Sequence, residues 1–229
     1  MFKENVNGVH GATAARHAML RTRLVDVADA TIAAGGLGDI KARELARQAG
    51  CAVGAIYTVF ADIDELILEV SARTLKALDA HLQEAASRHP DADPPALLVV
   101  LAEAYLDYAV ANRRRWDALF THRLPLGRTA PDWLSQLQAD LFARVEGPVA
   151  ALWPELSRSA RTLLARTVFS AVHGVVTLGL DQRVATIDTK GLREQLRLAV
   201  TALAAGLSHK PRPIPPRIAP RGARRGMKQ

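Results

Sequence analysis

The stretch Lys41-Ala42-Arg43-Glu44-Leu45-Ala46-Arg47-Gln48-Ala49-Gly50-Cys51-Ala52-Val53-Gly54-Ala55-Ile56-Tyr57-Thr58-Val59-Phe60 reads as two short helices joined by a tight corner. Leu45 and Ala49 lie four residues apart and give the first helix an apolar face. Gly50 can enter the left-handed region without a Cβ clash, which ends that helix. Cys51 is a small apolar plug at the corner, and Ile56 and Phe60, again four apart, turn the second helix toward the same core. Small residues from 52 to 55 leave the start of the second helix uncluttered. This is the helix-turn-helix pattern, whose second helix enters the DNA major groove.

Working outward, Leu20, Leu24, Val27, Ala28, Thr31 and Ile32 share one face of an Ala-rich helix that Gly35-Gly36 stops. Downstream, Asp62 with Glu65 three residues later resembles a capping box. The helix it opens is predicted to run through Leu66, Val70, Leu75, Leu78 and Leu82 to Ser87. A helix of that length spans roughly 35 to 40 Å, enough to bridge two domains.

The succession of helix, Gly50 turn, Tyr57-x-x-Phe60 and acidic cap before a long fourth helix resembles the N-terminal domain of the TetR family of transcriptional regulators, over residues 16 to 68. The resemblance implies an all-α chain with a helix-turn-helix DNA-binding domain at 16–61 and a helical effector-binding and dimerisation domain at 62–207. It also implies a homodimer through the last two helices, and a cytoplasmic repressor that a small-molecule effector releases from a palindromic double-stranded DNA operator. No cofactor, catalytic residue, metal site or membrane contact is expected. The competing reading is an all-helical interaction module or an enzyme that does not bind DNA. Such a chain has no need of the Gly50 turn and Tyr-x-x-Phe segment joined to a capped long helix, and the sequence lacks a Gly-rich phosphate loop or nucleophile elbow.

In that family Ser often caps the second helix where this chain has Ala52, and basic residues are common near Val53, Thr58 and Ile63. A recognition helix with no Lys or Arg cannot form the common Arg–guanine contact. Base readout then falls to Ala52, Val53, Gly54, Ala55, Tyr57 and Thr58, through methyl contacts, hydroxyls and backbone amides. Arg16, Arg21, Arg23, Lys41 and Arg43 are the candidates for phosphate.

Net charge, formally +7 over 229 residues, says less than its distribution. Residues 208–229 hold seven of the 30 basic side chains and none of the 23 acidic ones, so residues 1–207 are formally neutral. That tail contains five prolines and reads as an extended, basic, disordered arm. Residues 1–15 lack periodicity and read as a disordered N-terminal arm. No apolar run reaches 18 residues, and the N-terminus has no signal-peptide pattern. One cysteine excludes an internal disulfide.

Beyond a proline-rich loop at 89–95, helices are expected from Pro95 to Asn112, from Arg113 past Phe120, from Pro131 to Trp153, after Ser157 or Ser159, and after Asp188. Phe169 to Leu178, with His173-Gly174, resembles the C-terminal subtype named for a Trp–His–Gly signature, with Phe169 in place of the Trp. Tyr105, Tyr108, Trp116, Phe120, Trp133, Phe142, Phe169 and His173 are the candidates for lining an effector pocket. Arg113-Arg114-Arg115 reads as a solvated helix surface.

Overall fold

Asn5 begins the first helix, α1 (Asn5–Gly35), in a computed structural model that describes residues 5–181 and 187–207. A 3₁₀ turn at Leu37–Asp39 leads to α2 (Ala42–Ala49) and α3 (Val53–Ile56), then to the long α4 (Ile63–Ser87). The second half comprises α5 (Pro94–Ala111), α6 (Arg113–Thr121), α7 (Asp132–Leu152), α8 (Arg158–Leu180) and α9 (Thr189–Leu207). Among the described residues there is no strand.

The expected disordered arm at 1–15 is corrected for most of its length, because α1 starts at Asn5. Ala12, Ala14, Ala15 and Ala18 are strong helix formers. Residues 13 to 19 are exposed, so this extension follows from propensity on an already nucleated helix rather than from packing. The basic tail at 208–229 lies outside the described residues.

Local chemistry sets the boundaries elsewhere. Gly50 adopts φ 64°, ψ 39° and closes α2, as its lack of a Cβ allows. Asp62 accepts the backbone N–H of Glu65 at 2.8 Å, and Glu65 reaches back to the N–H of Ala61 at 2.7 Å. Asp93 caps α5 through the N–H of Ala96 at 2.8 Å, with Pro94 as first residue, and Ser157 caps α8.

Two cores result. Leu24, Val25, Ala28 and Ile32 of α1 bury against Leu45, Ala49, Ile56 and Phe60, with Leu66 and Val70 of α4 completing the head. Ala118 of α6 belongs to this core as well, so the second half of the chain reaches into the head. The larger core joins α4 and α5 to α8 and α9 around Leu106, Trp116, Leu192 and Leu196. Each such fully buried side chain contributes about 1.5 to 3 kcal/mol. At Gly179 a Cβ would lie 2.2 Å from Leu192 Cδ1, so that glycine sets how closely α8 and α9 approach.

By length and composition α5 and α8 could each cross a bilayer. In α5 the apolar content is that of a central helix, since Glu103 and Asp107 pair with Arg197 and Arg193 of α9 and the opposite face is core. α8 differs, for Leu163 and Leu178 stand exposed on its outer side.

Candidate DNA-reading face and effector cavity

The second helix of the helix-turn-helix is short. Helical geometry covers only Val53 to Ile56, and Tyr57, Thr58 and Val59 continue as a chain of turns with i→i+3 bonds. No side chain caps it at Ala52, and Gly54 is a poor helix former, which accounts for its length. Ile56 and Phe60 are buried beneath it, as the spacing requires. Val53 is 38% and Tyr57 51% exposed, and Gly54 has open space where a Cβ would be. Thr58 donates its hydroxyl to the Ala55 carbonyl at 2.7 Å, which leaves its oxygen as an acceptor facing out. The predicted base-reading set Ala52, Val53, Gly54, Ala55, Tyr57 and Thr58 thus forms one outward ridge, with Ala55 half-buried.

The candidate phosphate contacts divide. Arg16, Lys41 and Arg43 are exposed, and among the described residues none of them has an acidic partner. Arg21 differs from these in being engaged within the head. Its guanidinium lies over the Phe60 ring, 4.3 Å from the centroid, and bonds Glu65 at 2.8 Å, Glu69 and the Val59 carbonyl. Phe60 and the two carboxylates hold the cation as a staple from α1 to α4, with about a third of the side chain still exposed. Arg23 is drawn to the Ala49 carbonyl at 3.2 Å, and Arg47 pairs with Glu44 three residues before it.

Further ties cross from the head to the second half. Arg115 holds Asp29 with two bonds, and Arg114 reaches the Ala33 carbonyl at 3.4 Å. Of the triplet expected to be solvated, Arg114 is exposed and Arg113 pairs with Asp117 of its own helix, while Arg115 departs from the expectation by docking the start of α6 on α1. Arg73 of α4 meets Asp26 at 2.5 Å.

Behind the head, a cavity of about 540 Å³ opens between α4, α5, α7 and α8. Leu75, Leu78, Leu98, Leu101 and Val172 give it apolar walls. Of the aromatic candidates, Tyr105, Phe120, Phe142 and Phe169 line it. Trp116 and His173 stand one layer behind. Trp116 Nε1–H donates to the Tyr105 hydroxyl at 2.9 Å, and that hydroxyl meets His173 Nδ1 at 2.8 Å. Rings extend the network: Phe120 lies 4.1 Å from the His173 centroid, and Phe142 lies 5.1 Å from Phe169. Burial raises the Tyr105 phenol and lowers the His173 imidazole, so both are neutral near pH 7.

Two of the predicted residues are elsewhere. Tyr108 donates to the Thr74 carbonyl at 3.1 Å in the buried core, where burial pushes its phenol up to about 12. Trp133, at the start of α7, is 43% exposed and does not line the cavity. Missing from the sequence reading are Ser71, His122, Arg123, Arg128 and Gln138, which supply the cavity's polar lining along with Tyr105. Arg123 and Arg128 fall in a segment with Pro125 and Gly127, which in sequence looks like any charged surface loop.

Two family models match the chain. The one described as bacterial regulatory proteins, tetR family, covers residues 24–70, and the one described as tetracyclin repressor-like, C-terminal domain, covers residues 98–203. The second description names no Trp–His–Gly subtype. No curated protein matches the chain. Among solved structures, a protein of unknown function from Rhodococcus sp. RHA1 aligns with TM-score 0.66 and 22% identity, over 82% of this chain and 94% of that one. RolR in complex with resorcinol aligns with TM-score 0.62 and 15% identity, over 87% and 98%. The regulator FadR from Bacillus subtilis in complex with stearoyl-CoA aligns with TM-score 0.59 and 15% identity, over 81% and 98%.

Proposed function

For a chain that belongs to the TetR family of bacterial regulatory proteins, we propose action as a homodimeric repressor that leaves a palindromic operator when a small molecule fills the cavity. It is a DNA-binding, ligand-responsive transcriptional regulator. The observation that carries the finer reading is α4, which lends Leu66 and Val70 to the head core and Leu75 and Leu78 to the cavity wall. A ligand that fits better when α4 is shifted moves the heads with it, and the population shifts toward the form that does not fit DNA. Stearoyl-CoA in one structural relative and resorcinol in another support a small molecule as occupant.

The outer faces of α8 and α9 support the dimer. Leu163 is 68% and Leu198 72% exposed, with Thr167, Ser170, Thr201 and Ala202 beside them. A second copy placed on these faces buries that apolar surface in a four-helix interface. A two-fold dimer can set two recognition helices about 34 Å apart, in successive major grooves. This reading gives the chain no catalytic role and places it in the cytoplasm with the DNA it reads.

The test is binding of purified protein to genomic fragments near its own gene at physiological salt, against random competitor DNA. A saturable, competitor-resistant complex of two chains per site supports the reading. Binding that is blind to sequence and disappears with salt overturns it.

A further inference from the structure

The cavity is asymmetric in charge. Among the described residues that line it there is no Asp or Glu, while two cations, Arg123 and Arg128, come from the segment that joins α6 to α7, which also supplies His122. Their bonds locate them. Arg128 pairs with Asp62, and His122 Nε2 lies 2.9 Å from Asp64 Oδ1, so both sit at the first turn of α4, next to the head. Leu82, at the other end of the cavity, is 18 residues further along α4 than Asp64, a rise of about 27 Å. The space is therefore long, with apolar walls at one end and, at the other, two exposed arginines beside the carboxylates of Asp62 and Asp64. Arg123 has no acidic partner among the described residues; it donates to the carbonyls of Phe120 and His122. A ligand carboxylate can pair with this exposed guanidinium, which a neutral or cationic end group cannot do.

We propose that the cavity takes an amphipathic anion, an acyl or aryl body ending in a carboxylate, whose charged end is held by Arg123 and Arg128, and that its arrival draws Arg128 off Asp62. The proposal rests on the ligand-responsive reading above and names the ligand class and the first step of the response. Arg128 can form a two-pronged pair with a carboxylate, which makes a ligand carboxylate a direct competitor for Asp62. Asp62 is the cap of α4, and Glu65 in the same turn holds Arg21, whose guanidinium also bonds the Val59 carbonyl at the end of the recognition segment. Release of Arg128 thus alters a continuous set of ion pairs and hydrogen bonds between the cavity and the DNA-reading ridge.

The experiment uses the full chain and reads tryptophan fluorescence during titration with dodecanoate and with 1-dodecanol, each below its aggregation limit. Wild type is expected to bind the carboxylate at least tenfold tighter than the alcohol. Arg123→Gln and Arg128→Gln are each expected to cut that preference at least fivefold while alcohol binding stays within twofold, which also shows that the cavity remains folded. Equal affinity for acid and alcohol in wild type, or an unchanged preference in both variants, overturns the proposal. Coupling is read separately, on the operator. Arg128→Gln without ligand is expected to lower operator affinity in the direction that dodecanoate lowers it for wild type. An operator complex indifferent to both overturns the coupling step. Carboxylate selectivity in a protein that holds no operator would instead defeat the repressor reading and leave the ligand class standing.

Discussion

Arg115 on α6 grips Asp29 on α1 with two parallel bonds of 2.7 and 2.8 Å, tying the wall of the ligand-binding half to the DNA-binding head. Both side chains are partly shielded, and the geometry is the two-pronged one in which Arg and carboxylate pair best. Replacing Asp29 with Asn keeps the shape and removes the charge. We expect a loss of about 1 kcal/mol in stability. The loss should be local: hydrogen exchange should rise over residues 24–32 of α1 and stay unchanged in α8 and α9. Uniformly faster exchange would show that head and body melt as one.

Gly54 offers a clean separation of fold from DNA contact. A side chain there meets nothing within 4 Å, so Gly54→Leu should keep its melting temperature, with stability changed by no more than about 0.5 kcal/mol. If the ridge from Ala52 to Thr58 faces DNA, the added side chain keeps the backbone from the groove, and operator affinity should fall tenfold or more. Retained affinity would move the reading surface elsewhere.

Salt dependence distinguishes the cations. Lys41→Gln with Arg43→Gln removes two exposed charges, and the slope of log affinity against log salt should become shallower by roughly 2. Arg21→Gln should leave the slope alone and lower head stability, because Arg21 is spent on Glu65, Glu69 and Phe60. A change of slope from Arg21→Gln would contradict its assignment as a staple.

His173 is expected to make the ligand-binding half sensitive to mild acid. Burial holds its folded value below the ordinary 6.5, so the folded state resists a proton that the unfolded chain accepts. The stability this contributes is full above about pH 6.5 and is lost as pH falls through that value toward the depressed folded one. Urea midpoints should drop between pH 7.5 and 5.5 in wild type, and drop less in His173→Gln, whose amide oxygen can still accept from Tyr105. Identical slopes would assign the titration to another group.

Much of this was written locally in the chain. The Gly50 corner, the buried pair Ile56 and Phe60 and the Asp62 cap follow from spacing and from single-residue chemistry. Boundaries in the second half were legible to within a residue or two for the same reason, since α5 starts at Pro94 where Pro95 was expected, Pro131 precedes α7, and Ser157, one of the two serines expected, caps α8. The commitments of individual side chains were not. Nothing in sequence shows that Arg21 is sandwiched between Phe60 and two glutamates 44 and 48 residues away. Nor does an aromatic residue announce its direction: Tyr105 and Tyr108 are neighbours on α5, yet one faces the cavity and the other Thr74. Arg128 is the sharpest case, because its meaning arises only when a 66-residue loop closes onto Asp62.

The double duty of α4 has an evolutionary consequence. On the α7 side, Leu141, Phe142 and Val145 touch the cavity and no part of the head core, so gene copies can drift there toward new chemical signals while still recognising the ancestral promoter. On the α4 side the same freedom is denied, since a residue gained for a ligand at Leu68 stands two positions from both Leu66 and Val70, and one at Leu75 stands five from Val70, on which the head is built. Descendants of this chain should therefore diversify in what they sense along α7 and remain conservative along α4.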